Sequence, residues 1–265
     1  MPPKDGIERL LRGFHAIAMV LAAYYALIPP LSPPLSLFFH LPSQRILHAL
    51  ASKLGFIRRP FRLFRFLEAF TTTYESFLDS PSSSGGSNTS LLATWTWVLD
   101  ILSQSFMAVY LLLESVAFPD LLMLEAGAEA FFGRKETERI IVESQKWWFM
   151  ALATGVLAGV GKFWLLRGAV KAGKRKRGKD GDGEKAKERE EIVIREKKLK
   201  IVRKMAADVM DLSVPGSIIG WVPVSQGTVG FLMCWSTVLT ALEVWERCGR
   251  EIAEAKAGLL NEILA

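Results

Sequence analysis

IRRPFRLFRFLEAF, residues 57–70, interleaves four arginines with six large apolar side chains. At 100° per residue, Arg58, Arg59, Arg62 and Arg65 fall in an arc of roughly a third of a turn. Phe61, Leu63, Phe64, Phe66, Leu67 and Phe70 fill nearly all the rest. A narrow cationic face beside a wide aromatic face suits the boundary between lipid headgroups and acyl chains. Pro60 fits the first turn of such a helix and biases Arg59 away from helical angles. The pattern predicts a helix from Pro60 to about Leu78, with Arg62 and Arg65 on its face and Arg58 and Arg59 at its threshold. The competing expectation is that the aromatic face packs on neighbouring helices and the arginines are solvated.

The flanks extend the helical reading. Residues 6–28 predict a helix lying in the interface or packed on other helices, because the apolar run from Phe14 to Ile28 is short of the ~20 residues a span needs. Residues 29–42 are proline-rich and cannot continue it. Ser43 stands where an N-cap is wanted, and Ile46, Leu47, Leu50 and Leu54 follow at helical spacing. The N-terminal amphipathic region is thus 1–78, closed by a flexible linker at 79–90, DSPSSSGGSNTS.

The region 91–166 holds two membrane helices around an acidic connector. Leu91–Leu113 carries one charge, Asp100, and 147–166 is flanked by Trp147, Trp148 and Trp164. Lys162 is placed to snorkel. Ala151, Gly155 and Gly159 repeat every fourth residue, a packing face. Residues 114–146 read as a solvated helix or connector. Residues 167–191 read as a basic disordered linker, and 167–215 hold 16 Lys/Arg against 9 Asp/Glu. The region 192–245 combines an amphipathic helix or short coiled coil, with an expected Glu196–Lys200 pair, and an uncharged run from Leu212 to Leu242. In that run Gly216, Gly220, Gly227 and Gly230 are candidate helix-packing positions, and the continuous helix is expected from Ser225 to Trp245. The tail 246–265 is amphipathic.

Half of the residues are apolar and 23% are charged, in separate blocks, with a net charge of +6. That segregation predicts an all-α integral membrane protein with N-terminal amphipathic helices and two to four membrane-embedded helices. The concentrated basic residues favour an anionic surface, phospholipid or nucleic acid; their place between two apolar segments and the lack of a nucleic-acid fold signature favour an anionic phospholipid membrane over nucleic acid. Two cysteines make no framework, and the three histidines have no metal-ligand spacing. No phosphate-cradling loop, dinucleotide fingerprint or nucleophile elbow occurs, so no enzyme, cofactor or metal is expected.

The chain resembles the peroxin-eleven family, the peroxisomal membrane elongation and division proteins. One stretch is a basic motif opening an amphipathic helix, where Arg58, Arg59, Arg62, Leu63 and Arg65 take the basic and leucine positions. Phe64 stands where the family usually has glycine. The other comprises Asp211, Leu212, Pro215, Ser225, Gly227, Gly230 and Ser236. The resemblance implies a peroxisomal membrane location, self-association and recruitment of organelle-division machinery. Membrane remodelling by insertion of the 57–70 helix is the leading expectation, with the arginines selecting anionic lipid. The alternative is a solute channel of oligomerised helices, resting on Asp100 and the glycine faces.

Overall fold

A computed structural model describes residues 4–25, 44–79, 91–177 and 184–264. Among these residues all the regular structure is helical. We label the α-helices α1 (Lys4–Ala23), α2 (Gln44–Ile57), α3 (Arg65–Leu78), α4 (Leu91–Glu125), α5 (Arg134–Arg177), α6 (Glu184–Asp211), α7 (Ser213–Ile218) and α8 (Gln226–Leu264). A short 3-10 turn, Pro60–Arg62, lies between α2 and α3. Ser43, most of the 79–90 linker and the centre of the basic linker lie outside the described residues.

The antiparallel pair α4–α5 is the most extensive helix contact. Its seam is aromatic and polar: Tyr110 stacks on Trp148 at 5.3 Å and Phe106 meets Trp147 at 5.5 Å. Ser103 donates to the Ala151 carbonyl at 2.8 Å. Gly161, not anticipated as a packing residue, lets Thr96 sit where a Cβ would be. Asp100, the lone charge of the first apolar run, pairs with Lys162 at 2.7 Å. Lys162 therefore reaches across to α4 to meet a carboxylate.

Of the two readings of residues 114–146, helix rather than connector describes most of the segment. α4 continues through Pro119 to Glu125, and only 126–133 connect it to α5. α4 ends where the Ala128 N–H donates to the Met123 carbonyl and Gly127 takes φ +75°, a left-handed helix stop. Asp120, 1% exposed, holds the connection closed by accepting from the Phe131 and Phe132 N–H groups and the Thr137 hydroxyl. The exposed charges of this region had disguised a buried face formed by Ala117, Asp120, Thr137 and Ser144.

The basic segment is also more ordered than expected, since the backbone is helical to Arg177 and again from Glu184. Lysine and arginine are good helix formers, so charge alone does not end a helix. α6 runs back along α5, with Met205 over Gly159 and Asp208 near Gly155. The expected Glu196–Lys200 pair does not form among the described residues; α6 instead reaches α8 through Arg203–Glu246 at 2.6 Å.

The uncharged run 212–242 divides into α7, a turn and α8. Val222 and Phe149 fill the space a Gly216 side chain would need. Gly220 is no packing glycine: its φ of +78° serves the turn and nothing lies within 4 Å of a built Cβ. Ser225 caps α8, its hydroxyl accepting from the Thr228 N–H at 3.2 Å. α8 then continues through Trp245 to Leu264, so the tail is part of the same helix.

α1 packs on both α8 and α2. Its buried face is small: Ala16, Ala18 and Ala22. A Cβ at Gly227 would stand 2.8 Å from the Ala23 Cβ, and one at Gly230 would stand 2.8 Å from the Met19 Cβ and 3.2 Å from the Val20 backbone nitrogen. Three helices are long and apolar enough to cross a membrane, by length and composition: Leu91–Glu125, Arg134–Val170 and Gln226–Ile252.

Close approach at Gly230 gives a paired expectation. Gly230→Val meets the α1 backbone and should lower stability by about 1–3 kcal/mol. Gly249, with nothing within 4 Å of its Cβ, lies in the same helix. Gly249→Ala should be neutral or stabilising by up to about 1 kcal/mol. Thermal unfolding of the purified chain in mild detergent separates the two; equal effects would remove the packing role of Gly230.

Candidate functional site

The arginine–aromatic stretch is not one helix. α2 ends at Ile57, and the Arg62 N–H to Arg59 carbonyl bond (2.9 Å) and the Leu63 N–H to Pro60 carbonyl bond (3.2 Å) make the 3-10 turn. Arg59 keeps helical angles, φ −64° and ψ −42°, despite the proline that follows. The chain breaks later. Leu63 is extended (ψ 138°) and Phe64 takes φ +63°, the left-handed region. α3 therefore starts at Arg65 rather than Pro60, and Arg62 and Arg65 do not share a helix face. Phe64 is the one non-glycine residue with positive φ among the described residues. Left-handed geometry favours glycine over a residue with a Cβ.

This break turns the arginines inward. Arg62 donates through Nη1 to the Tyr110 hydroxyl at 2.6 Å and through Nη2 to Glu114 at 2.9 Å, both on α4. Its Nε lies 3.6 Å from Glu8 on α1. Arg65 donates to the other Glu8 oxygen at 2.9 Å, and Arg59 approaches Glu114 at 4.0 Å. Arg58, 9% exposed, points at the Nδ1 of His15 on α1, 3.3 Å away. Further along α1, Arg12 pairs with Asp211 at the end of α6 and donates to the Ser236 hydroxyl of α8 at 3.1 Å. Glu8 and Glu114 are the partners that the sequence left unpaired, since they lie 57 and 52 residues from the arginines they bind.

The electrostatics follow from crowding. Burial, then Arg58, lowers the His15 pKa to about 4, so the imidazole is neutral at pH 7 and its Nδ1 can accept from Arg58. Burial, then Arg62 and Arg12, lowers the Arg58 pKa to about 10, still charged at neutral pH. Burial raises Asp208, beside this junction on α6, to about 6; Lys204 opposes the rise and Asp211 adds to it. The Nε atoms of Arg12, Arg58 and Arg62 and Oε2 of Glu114 are buried without a hydrogen bond among the described residues. The cluster is therefore held by charge more than by complete hydrogen bonding.

With the arginines inside, the apolar side chains face out. Phe64 is 68% exposed, Leu67 58% and Phe70 42%, while Phe61 stands at the edge of exposure. Leu63 and Phe66 are half-buried. The α3 stripe continues as Leu67, Phe70, Tyr74 and Phe77, all exposed at alternating three- and four-residue steps. α1 repeats it with Ile7, Leu10, Phe14 and Ile17, and α2 with Ile46, Leu50 and Ile57. The hydroxyls of Thr71, Thr72, Thr73 and Ser76 donate to carbonyls four residues back, so α3 presents few unsatisfied donors.

The buried pairs predict an asymmetry. Glu114→Ala leaves Arg62 short of a partner and should cost about 3–5 kcal/mol. Replacing both members, Arg62→Met with Glu114→Leu, should cost much less, because no buried charge is orphaned. Thermal unfolding of the single and double variants decides this; additive losses would mean the pair is solvated. For His15 the folded pKa lies below the unfolded value near 6.5, so its contribution is present above pH 6.5 and is lost as pH falls from there towards 4. Stability measured from pH 7 to pH 4.5 should fall more in the native chain than in His15→Gln, a comparison in which the opposing Asp208 contribution cancels.

No match was found among curated proteins or among solved structures. The sequence does match the family described as Peroxisomal biogenesis factor 11 (PEX11), over residues 4–245. That match takes in α1 with its glutamate, the arginine turn, the α4–α5 pair and the glycine face of α8. The chain therefore belongs to the Peroxisomal biogenesis factor 11 family and is a peroxisomal membrane protein with a role in peroxisome proliferation and division.

Proposed function

We propose that the chain remodels the peroxisomal membrane by seating the outward apolar stripes of α1, α2 and α3 in one leaflet, as a wedge fixed to the membrane-spanning helices. The observation that carries this reading is the exposed run Phe64, Leu67, Phe70, Tyr74 and Phe77 immediately beside paired, inward arginines. Each large apolar side chain taken fully out of water contributes about 1.5–3 kcal/mol. Several partly inserted ones outweigh the roughly 1 kcal/mol that a single basic residue gains near an anionic surface. Insertion into one leaflet expands that leaflet and favours curvature.

The division of labour among the arginines differs from the one their spacing suggested. Arg58, Arg59 and Arg62 serve as the clamp that sets the wedge against α1 and α4. Arg65, paired to Glu8 but still 42% exposed at its side chain, is the one placed to meet a lipid phosphate as well. Self-association sums many such wedges along a tubule, and the same assembled surface recruits division machinery. Both of these steps rest on the family membership.

Proteoliposomes carrying the full chain provide the test. Leu67→Ser with Phe70→Ser and Phe77→Ser should abolish tubulation seen by electron microscopy. Thermal stability in detergent should fall by no more than about 1–2 kcal/mol, because all three are exposed and the main ring contact given up is that of Phe77 stacked on Trp97 at 6.2 Å. Tubulation that persists would refute the wedge. Phe64→Gly is a sharper probe. It relaxes the left-handed residue, so stability should hold or rise, while tubulation should weaken through loss of one exposed ring.

A further inference from the structure

An open groove lies between α5 and α6, well away from the arginine clamp, with a volume of about 540 Å3. Leu165, Leu166 and Ala169 of α5 and Ile201 of α6 line it. Three lysines complete it: Lys162, Lys197 and Lys200. Lys162 is neutralised by Asp100. Lys197 and Lys200, one helical turn apart on the exposed edge of α6, form no salt bridge among the described residues, although Lys200 is near enough to Glu246 to interact electrostatically with its carboxylate.

The groove sits at the end of the apolar run of α5. Trp164, exposed at that level, is stacked under the Arg167 guanidinium at 5.9 Å. Exposed tryptophan and cationic side chains at the end of an apolar helix mark headgroup depth. An open apolar groove edged by the stems of two exposed lysines that form no salt bridge among the described residues matches an amphiphile with a hydrocarbon tail and an acidic head. Neutral or zwitterionic molecules leave the two lysines without a net counter-charge.

We propose that this groove holds an anionic glycerophospholipid, with one acyl chain along Leu165, Leu166, Ala169 and Ile201 and its phosphate between Lys197 and Lys200. The proposal rests on the chain being a membrane resident, which the family membership supplies, and is independent of the wedge. The site makes α5–α6 packing sensitive to leaflet composition, because the lipid bridges the two helices.

Photo-labelling tests it with the full chain in nanodiscs of phosphatidylcholine. One arm contains a trace of phosphatidic acid bearing a photoreactive acyl chain, and the other contains phosphatidylcholine bearing the same chain. Peptide mapping should place the adduct on 165–169 and 201, with phosphatidic acid labelling roughly tenfold more than phosphatidylcholine. Lys197→Gln with Lys200→Gln should remove that preference, and Ala169→Trp should lower labelling by both lipids. Equal labelling by the two lipids, adducts elsewhere, or labelling unchanged in the glutamine variant would each overturn the site. Since the glutamine variant alters only exposed side chains, the result does not hang on whether Ala169→Trp folds. The wedge triple variant Leu67→Ser/Phe70→Ser/Phe77→Ser serves as the separating control. Its labelling should be unchanged even though tubulation is lost, so failure of the groove and failure of the wedge are read independently.

Discussion

The contact between Arg62 and the two glutamates, Glu8 and Glu114, is the constraint on which the rest depends. A buried guanidinium needs opposite charge nearby, since the desolvation cost of an isolated ion is several kcal/mol. Glu8 brings α1, Glu114 brings α4, and Arg62 belongs to the turn between α2 and α3. Three separate parts of the chain are therefore placed by one side chain. Tyr110, stacked on Trp148, carries the same link into α5. An amphipathic segment has two faces; once the basic one is committed to this junction, the apolar one has only the outside. The outward apolar stripe is thus a consequence of ion pairing, and no external phosphate is needed to orient it.

Close backbone approach supplies what the charges do not. The charged junction is under-bonded, with several buried nitrogens lacking partners, and so contributes position more than stability. The α1–α8 seam works by a different means. Ala16 and Met19 against Gly230, and Ala23 against Gly227, let two helices meet through backbone and small side chains. Dispersion contacts at that distance are numerous, and glycine and alanine lose little side-chain entropy on packing. Arg12, reaching both Asp211 and Ser236, lies on this seam and joins it to α6.

The helical class, the glycines of α8 and the exposed apolar stripe were legible because each is written in a local period. Phe64 was legible only as a departure from the motif the stretch resembles; its positive φ gives that departure a physical meaning. What a period cannot reveal is a partner far along the chain. Glu8 looks like an ordinary N-terminal acid and Glu114 like the start of a solvated connector, yet each meets an arginine more than fifty residues away. Asp120 was missed for a related reason: surrounded in sequence by exposed charges, it faces a bend that exists only after α5 folds back. Gly220 erred in the other direction. Its four-residue spacing from Gly216 fits a packing face, but a turn intervenes and φ becomes its only role.

For the wedge proposed above, Phe64 also bears on how the turn that carries it is favoured at a membrane. A left-handed conformation at a residue with a Cβ costs roughly 1–2 kcal/mol. Its ring is exposed and makes only a tilted contact with Phe66 at 6.4 Å, so in water the cost is offset by the Arg62 and Arg65 ion pairs that the turn permits. In a leaflet the same ring gains about 1.5–3 kcal/mol by burial. The two terms are of similar size and act in opposite directions, so insertion of the ring adds to what the ion pairs already contribute to this turn. Glycine would lower the first term and abolish the second. Because the Arg62 clamp fixes this turn to α4, and α4 is long and apolar enough to span, the energy gained by Phe64 is gained at a fixed place relative to the bilayer. A flexible helix with the same composition could insert equally well yet could not hold its leaflet at a set depth.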